Sequence, residues 1–209
     1  MSIEQAYNQW ASQYDTNENK TRDLEKKVLR DTLGPLSFSK VLEIGCGTGK
    51  NTEWLIEKAE AVTSVDFSAE MLAKAKAKIH SYKVHFKQAD ITQEWNFAES
   101  PYDLVSFSLV LEHIHDLHFI FRQTAAVLKK GGLVYIAELH PFKQYSGSKA
   151  RFDIGDGAQQ VVECYTHHIS EFTQTAKKNG LMPVDVEEYF DDDDRTGIPR
   201  ILRLILSKS

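Results

Sequence analysis

The stretch "KVLEIGCGTGKNTEWL", residues 40–55, decides how the chain folds. It opens with a short apolar run that predicts a buried strand and closes with the start of a helical pattern. Between them, Gly45, Gly47 and Gly49 occupy every second position. Glycine permits backbone dihedrals that other residues resist, and it lets a ligand approach the backbone closely. Three alternating glycines exceed what a tight turn requires, so we expect a ligand at this loop.

The alternation of strand and helix continues along the chain. Further strands are predicted at residues 61–67, 83–89, 103–110, 133–139, 183–190 and 200–207, and helices at 50–59, 68–80, 117–130 and 168–180. Such alternation implies right-handed crossovers and a parallel sheet with helices on both faces, an α/β fold. The 117–130 helix is expected to stop at Gly131 and Gly132. The last two strands are joined by a short acidic turn, so we expect them to pair as an antiparallel hairpin.

A length of 209 residues suits one domain, 1–209, without an internal linker. Residues 1–33 carry two helical patterns before the first strand, and we expect them to form an N-terminal helical lid. Residues 141–167 are rich in glycine, serine and charge and show no clear element. We expect this segment to be a loop or cap on the substrate side, because long loops in compact domains are usually functional.

Composition narrows the possible partners and the compartment. The formal net charge is −5 and no basic stripe is visible, so we do not expect a nucleic-acid partner. Cys46 and Cys164 are far apart, which indicates neither a disulfide framework nor a structural zinc site. No apolar run approaches the roughly 18 residues of a membrane span, and the N-terminus lacks an apolar signal core. We therefore expect a cytoplasmic protein without a membrane span.

The pattern around the glycines favours a ligand with a cationic amino group. A dinucleotide loop reads G-x-G-x-x-G, but Lys50 stands where its third glycine belongs. The local pattern is instead E-x-G-x-G-x-G, which begins at Glu43 and places a carboxylate on the strand. The second strand ends at Asp66, whose carboxylate can accept hydrogen bonds from both hydroxyls of a ribose.

Two later segments extend this predicted site. Asp90 follows the third strand and can accept from an adenine amino group, while Ile91 can pack on the ring. The backbone of residues 106–108 ends the fourth strand beside the glycine loop and can offer carbonyls to an ammonium group.

The motifs, in order, resemble those of class I S-adenosylmethionine-dependent methyltransferases, closest to the small-molecule group that includes quinone-biosynthesis methyltransferases. The matching segments are "VLEIGCGTG", "VTSVDFSAEMLAKAKAK", "KQADI", "YDLVSFSLVLEHIHD", "AAVLKKGGLVYIAELHP" and "YTHHISEFTQTAKKNGL". The resemblance runs from about Tyr7 to the C-terminus. It implies a Rossmann-like seven-stranded mixed sheet in the order 3-2-1-4-5-7-6, with strand 7 antiparallel and helices on both faces.

The resemblance also implies the cofactor S-adenosylmethionine, the product S-adenosylhomocysteine and a small-molecule methyl acceptor of unidentified structure. The N-terminal stretch "YNQWASQYD" would cover the cofactor, which makes Tyr7 and Tyr14 candidate lid contacts. The residues expected at the cofactor are Tyr14, Glu43, Gly45, Cys46, Gly47, Gly49, Asp66, Phe67, Met71, Ala89, Asp90, Ile91, Ser106, Phe107 and Ser108.

The sulfonium already activates the methyl group, so the protein needs a general base only if the acceptor must lose a proton. His113 follows the fourth strand and His140 ends the fifth, and both are candidate catalytic residues facing the expected acceptor pocket. Tyr165, His167 and His168 could approach from the irregular segment. We expect no metal, since His113, His115 and His118 span a probable turn without a cysteine nearby.

Two alternatives stay open at this point. A nicotinamide-dependent oxidoreductase would need a glycine at position 50 and a recognisable hydride-transfer site. A non-catalytic S-adenosylmethionine-binding or regulatory protein would keep the same motifs without turnover. Neither the acceptor atom nor the oligomeric state can be deduced from these patterns.

Overall fold

The computed structural model describes residues 1–99, 101–155 and 158–209. The strands are β1 (Lys40–Ile44), β2 (Ala61–Asp66), β3 (Val84–Gln88), β4 (Tyr102–Ser108), β5 (Leu128–Leu139), β6 (Arg151–Gly155), β7 (Ala158–Val161), β8 (Leu181–Tyr189) and β9 (Ile201–Lys208). The α-helices are α1 (Ile3–Trp10), α2 (Lys20–Leu33), α3 (Thr52–Lys58), α4 (Ala69–Lys78), α5 (Leu117–Val127), α6 (Pro141–Tyr145) and α7 (Ile169–Lys178).

Seven strands form one sheet in the order β3-β2-β1-β4-β5-β9-β8. Strands β1 to β5 pair in parallel, whereas β9 runs antiparallel to both β5 and β8. The predicted order and the antiparallel late hairpin are confirmed, with β8 and β9 as the sixth and seventh strands of the expected sheet. This order places the loop after β1 at the switch point between β2 and β4, where open sheets bind ligands.

The sheet is buried on both faces because successive side chains of its central strands point to opposite sides. On β5, Val134 and Ile136 pack into one apolar cluster with α5 and α7, while Tyr135 and Ala137 pack into a second with α2. Most of the buried side chains of the central strands are therefore apolar, as parallel sheets covered on both faces require. Their carboxyl ends are left to form the site.

The helix after β2 begins as its sequence predicts. The Ser68 side chain accepts from the Met71 amide at 3.1 Å and caps α4. Met71, Leu72 and Ala75 are buried on one face of this helix. The lysines of α4 lie on the other face, so they form a solvated surface.

The predicted 117–130 helix is wrong over its last turn. Helix α5 ends at Val127, and the chain enters β5 directly at Leu128, which pairs with Tyr102 of β4. Lys129 forms an ion pair with Asp103 of the neighbouring strand. Strand pairing and this ion pair outweigh the helical propensity of the two lysines.

The segment from residue 141 onward also differs from the expectation of no clear element. It contains α6 and the antiparallel pair β6 and β7. Phe152 of β6 and Val162 are buried against Ala6 and Trp10 of α1, so the segment is held by the N-terminal helix. Residues 156 and 157 lie outside the described residues.

Candidate functional site

The loop after β1 adopts backbone conformations that favour glycine. Gly45, Gly47 and Gly49 have φ values of 71°, 53° and 84°. A Cβ at Gly45 would lie 2.2 Å from Val110 Cγ2, so the loops after β1 and β4 can pack together only through this glycine. A Cβ at Gly47 would meet only the Tyr14 ring, at 4.0 Å. Gly45 therefore allows the loop to pack against Val110. Gly47 leaves space beside the loop on the side of the Tyr14 ring.

The Asp66 carboxylate at the end of β2 holds this loop in place. Its Oδ2 accepts from the Gly47 amide at 2.7 Å, and its Oδ1 accepts from the Ser68 amide at 2.9 Å. A carboxylate has about four acceptor positions, so roughly two remain for a ligand. Burial raises the pKa of Asp66, while these backbone amides oppose that shift.

A cleft opens at the carboxyl ends of β1, β2 and β4. It encloses about 840 Å³ of empty space, including space open to solvent. Nine of the residues expected at the cofactor line it, namely Tyr14, Gly45, Gly47, Asp66, Phe67, Ala89, Asp90, Ile91 and Ser108.

The far end of the cleft, beyond β3, combines a polar and an apolar wall. Asp90 Oδ1 accepts from the Thr92 amide at 2.9 Å and from the Thr92 hydroxyl at 2.7 Å. The other carboxylate oxygen of Asp90 has no hydrogen-bond partner among the described residues and can accept from a ligand. Ile91 and Ile114 line the same cleft. This end suits a flat heterocycle that carries an amino group.

The charge of the cleft favours a cationic ligand. Glu4, Asp66 and Asp90 line it, and within the described chain no lysine or arginine does. A diphosphate would meet carboxylates without a compensating cation, whereas a sulfonium or an ammonium would be attracted. S-adenosylmethionine carries both cations together with a ribose and an adenine, so the residues present fit this cofactor.

Six of the residues expected at the cofactor do not line the cleft: Glu43, Cys46, Gly49, Met71, Ser106 and Phe107. Met71 instead belongs to the apolar cluster formed with α1. Phe107 is a core residue, and a Cβ at Gly49 would lie 2.6 Å from Ile79 Cδ1 on the segment after α4. The sequence predicted the strand ends correctly but not which side of each strand faces the cleft.

The buried Glu43 side chain stabilises the elements that flank the glycine loop. Its Oε2 accepts from the Thr52 hydroxyl at 2.5 Å and from the Ser64 hydroxyl at 2.7 Å. Burial raises the pKa of Glu43 to about 7. The carboxyl thus joins β1, β2 and the start of α3, instead of facing the cleft as a ligand for an ammonium group.

The N-terminal helices cover the cleft, and side chains fasten them there. Ser68 Oγ lies 2.6 Å from Asn8 Oδ1, and the Thr48 hydroxyl donates to Asp15 Oδ1 at 2.6 Å. Tyr7 and Tyr14 both line the cleft from this side. The two contacts join the helical cover to the start of α4 and to the glycine loop.

Tyr7 forms a hydrogen bond to the predicted catalytic residue His113. Tyr7 Oη lies 2.7 Å from His113 Nε2, and His113 Nδ1 lies 2.7 Å from the Glu163 carbonyl oxygen. Because a carbonyl only accepts, Nδ1 carries the proton in the neutral ring and Nε2 accepts from Tyr7. Burial raises the pKa of Tyr7 well above its ordinary value, so Tyr7 is the donor.

His113 is nearly buried, 9% exposed, and lines the cleft. Its neighbours Glu112 and Cys164 form, with it, a group whose ligand atoms lie within 4.8 Å of one another. The sequence had pointed instead to His115 and His118 as neighbours. Both ring nitrogens of His113 already have hydrogen-bond partners, so the geometry serves the imidazole as an acid or base rather than as a metal ligand.

His140, the other predicted catalytic residue, does not line the cleft. Its Nδ1 accepts from the Phe142 amide at 3.1 Å and caps α6, and its Nε2 lies 2.9 Å from Glu188 Oε1. Burial lowers the pKa of His140. His167 is likewise occupied, with Nε2 2.7 Å from the Ile114 carbonyl oxygen. The structure thus brings His113 into the site and holds His140 and His167 in structural contacts.

A second cavity lies on the other side of the wall formed by Tyr7, Tyr14 and Leu109, which line both cavities. It encloses about 1500 Å³ of empty space, including space open to solvent, between the N-terminal helices and β6. Leu109 has a φ of 58°, unusual for a residue with a side chain. Its amide donates to the Ala137 carbonyl at 2.8 Å, which holds this strained residue on the shared wall.

The sequence did not predict several residues of the cleft wall. They are Ile3, Glu4, Ile44, Val65, Ser68, Thr92, Leu109, Val110 and Ile114. Ser68 and Thr92 follow predicted strand ends within two residues of Asp66 and Asp90, a spacing that could have indicated them. Val110 was detectable only through the close approach that makes Gly45 necessary.

Comparison with known proteins agrees with this geometry. Residues 41–132 match a family model described as a methyltransferase domain. The chain therefore contains a class I S-adenosylmethionine-dependent methyltransferase domain, and it is distantly homologous to ubiquinone-biosynthesis O-methyltransferases.

Two of these relatives show the extent of the likeness. The chain is 30% identical to the ubiquinone biosynthesis O-methyltransferase of Pelagibacter ubique, over 54% of this chain and 47% of that protein. It is 27% identical to the enzyme of the same name from Bordetella avium, over 77% of this chain and 69% of that protein. The chain thus spans only about half the length of some of the curated relatives it matches.

Solved structures match over nearly the whole chain. The complex of DhpI with SAM and HEP is 25% identical, with a TM-score of 0.75 over 96% of this chain and 93% of that one. The N-methyltransferase NodS of Bradyrhizobium japonicum, in complex with S-adenosylhomocysteine, shares the fold at 17% identity. Its TM-score is 0.72 over 100% of this chain and 99% of that one. Structural homologues thus bind the cofactor and its product.

In the part of the chain that the structure describes, every helix is too short or too polar to span a bilayer.

Proposed function

We propose that the protein transfers the methyl group of S-adenosylmethionine to a small-molecule acceptor bound in the second cavity. The observation that carries this proposal is the acidic cleft at the glycine loop, joined to a separate cavity through the wall of Tyr7, Tyr14 and Leu109. A cofactor on one side of this wall and an acceptor on the other would meet at Tyr7.

The residues that would hold the cofactor follow from the cleft. Asp66 would accept from the ribose hydroxyls with the acceptor positions that Gly47 and Ser68 leave unused. Asp90 would accept from the adenine amino group. The backbone of Gly45 and Gly47 leaves room for the amino-acid part of the cofactor.

The transfer itself needs alignment more than activation. The acceptor atom attacks the methyl carbon in line with the S–CH₃ bond, and the electron pair of that bond stays on sulfur to give S-adenosylhomocysteine. Positioning of this kind can contribute about 7–11 kcal/mol. The helical cover formed by residues 1–33 excludes water from the cleft and fixes both partners.

Tyr7 and His113 would take the proton of the acceptor. Tyr7 lines both cavities, and its hydroxyl donates to His113 Nε2. As the acceptor gives its proton to the Tyr7 oxygen, Tyr7 passes its own proton to Nε2. The Glu163 carbonyl stabilises the imidazolium at Nδ1. General base catalysis of this type contributes about 10²–10⁴-fold.

A small-molecule acceptor agrees with the position of the second cavity beneath the helical cover and β6. A nucleic acid would need a broad cationic surface, whereas the chain carries a net charge of −5. The segment 141–167, which contributes β6 to this cavity, would act as the substrate-side cap of a single domain.

The test is formation of S-adenosylhomocysteine from S-adenosylmethionine in the presence of a panel of phenols, amines, thiols and carboxylic acids. We expect turnover with at least one compound. Binding of S-adenosylmethionine without any turnover would favour the non-catalytic alternative, and absence of such binding would refute the proposal.

A further inference from the structure

We propose that the acceptor carries an anionic oxygen group, a carboxylate or a phosphate, which Arg22, Lys149 and Arg151 hold in the second cavity. This inference rests on the proposed function, because it assumes that the second cavity receives the acceptor. It names a substrate class that the family resemblance and the comparisons leave open.

The two cavities differ in charge although they share a wall. Three acidic residues and no lysine or arginine line the cleft, within the described chain. The second cavity is lined by five cationic residues, Lys20, Arg22, Lys149, Arg151 and Arg200, and by three acidic ones, Glu18, Glu112 and Asp153. A chain with a net charge of −5 thus concentrates positive charge in one cavity. A cationic cofactor and an anionic acceptor would each meet the complementary charge.

Arg22 is a fixed cation at the wall between the cavities. Its guanidinium carbon lies 4.1 Å from the centre of the Tyr14 ring. Its terminal nitrogens donate to the carbonyl oxygens of Tyr14 and Asn17, and its Nε is buried without a hydrogen-bond partner among the described residues. No carboxylate of the described chain forms an ion pair with Arg22, so its charge remains available to a ligand.

Lys149 and Arg151 extend this positive charge across the cavity from the start of β6. Both side chains are exposed, and neither has an ion-pair partner in the described ranges. Phe152 follows them and stacks on Trp10 of α1, with ring centres 5.4 Å apart. The contact between β6 and α1 therefore keeps these two cations at the cavity that Arg22 also lines.

In the described chain, the acidic residues of the cavity form no ion pair with Lys149, Arg151 or the other unpaired cations. Glu112 is 7% exposed, and burial raises its pKa, which favours the neutral form. Asp153 Oδ1 accepts from the Gln159 side chain at 3.2 Å. Arg200 is the one cation of the cavity with an ion-pair partner in the described chain, since it binds Asp191. Four unpaired cationic side chains thus face the two carboxylates of Glu18 and Asp153, so the cavity keeps a positive balance that attracts an anion.

The test compares the binding of two anionic probes with that of one neutral probe, while the protein is saturated with S-adenosylhomocysteine. Ligand-observed NMR titration compares 4-hydroxybenzoate and phenyl phosphate with the neutral amide 4-hydroxybenzamide. We expect at least one anion to bind about threefold to tenfold more tightly than the amide, since one or two exposed ion pairs supply an effect of this size. The preference for benzoate or phosphate identifies the type of anion.

The double variant Lys149→Gln, Arg151→Gln is expected to remove most of this preference. The double variant Lys177→Gln, Lys178→Gln changes the net charge equally on the exposed face of α7 and should leave the preference unchanged. Equal affinity for acid and amide would overturn the inference, as would an effect of the control pair equal to that of the cavity pair. Failure of both anions to bind at about 10 mM would also overturn it.

The proposed function and the proposed substrate class can be refuted separately. Protein that binds S-adenosylhomocysteine but shows no preference for anions retains the proposed function and loses the substrate class. Protein that does not bind S-adenosylhomocysteine loses both.

Discussion

The Asp66 carboxylate and the Gly47 amide are joined by a hydrogen bond of 2.7 Å, and this contact connects the end of β2 to the glycine loop after β1. The same carboxylate faces the cleft and, in the proposed function, binds the ribose. In that proposal one residue both shapes the loop and binds the ligand, so the effects of its charge and of its geometry can be tested together.

Replacement of Asp66 by Asn should weaken S-adenosylmethionine binding about 10- to 100-fold. The amide nitrogen of Asn cannot accept, so either the Gly47 or the Ser68 amide loses its partner and a ribose hydrogen bond is weakened. Calorimetric titration measures the change. Asp31→Asn, on the exposed face of α2, is the matched control and should bind as the unchanged protein does. Equal affinity of the two variants would show that Asp66 does not contact the cofactor.

Gly45→Ala should destabilise the protein far more than Gly147→Ala. Both glycines have positive φ, 71° and 93°, so both variants carry a similar backbone penalty. A Cβ at position 45 would also lie 2.2 Å from Val110 Cγ2, whereas nothing lies within 4 Å of a Cβ at position 147. We expect an additional loss of about 1–3 kcal/mol in the free energy of unfolding.

Denaturant unfolding of both variants checks this difference. The Gly45 variant should also lose cofactor binding, because the loop moves away from Val110. If the two variants unfold at the same denaturant concentration, the contact between the loops after β1 and β4 is not as close as the structure has it.

Tyr7→Phe and His113→Asn should each lower the turnover number by about 10²-fold or more, because each interrupts the same proton path. The double variant should be scarcely worse than either single one, since residues that act as a unit give non-additive losses. S-adenosylmethionine affinity should change little. His115→Gln is the control, because His115 is exposed and neighbours the site only in sequence.

Once an acceptor is known, the turnover numbers of the two single variants and the double variant are compared under the same conditions. Additive losses in the double variant would indicate that Tyr7 and His113 act independently.

The stability of the protein should depend on pH through Glu43. Folding raises the pKa of this carboxyl from its ordinary value of 4.5 to about 7, because the carboxyl is buried. Between these values the folded protein keeps a proton that the unfolded chain releases, so this group's contribution is complete below about pH 4.5 and is lost as pH rises to about 7.

Glu43→Gln should remove this part of the pH dependence. The Gln carbonyl can still accept from the Thr52 and Ser64 hydroxyls, and it does not titrate. Thermal unfolding between about pH 5 and pH 8 should give a flatter profile for the variant, with a difference of about 1–3 kcal/mol across the range. Parallel profiles would mean that Glu43 is charged in the folded protein at neutral pH.

Local patterns were sufficient to predict the sheet, because short strand-forming runs alternate with helical patterns along the chain. They also predicted Asp66 and Asp90, since these residues follow strands whose carboxyl ends meet at one edge. Local patterns failed where contacts between residues distant in the sequence determine the secondary structure. The last turn of the predicted 117–130 helix became strand because Leu128 pairs with Tyr102 across the sheet.

The pair β6 and β7 was missed for a related reason. Its composition resembles a loop, although the dipeptide Asp156-Gly157 in the sequence is a known hairpin signal. The partners of His140 could not be predicted at all. Glu188 lies 48 residues further along the chain, and only the completed sheet brings it to 2.9 Å from His140 Nε2.

The measurement that tests the central claim most directly is a parallel titration of the purified protein with S-adenosylmethionine, NAD⁺ and NADP⁺. We predict binding of S-adenosylmethionine with a dissociation constant of order micromolar and no binding of either dinucleotide, because carboxylates without a compensating cation line the cleft. Binding of a dinucleotide without binding of S-adenosylmethionine would contradict the account.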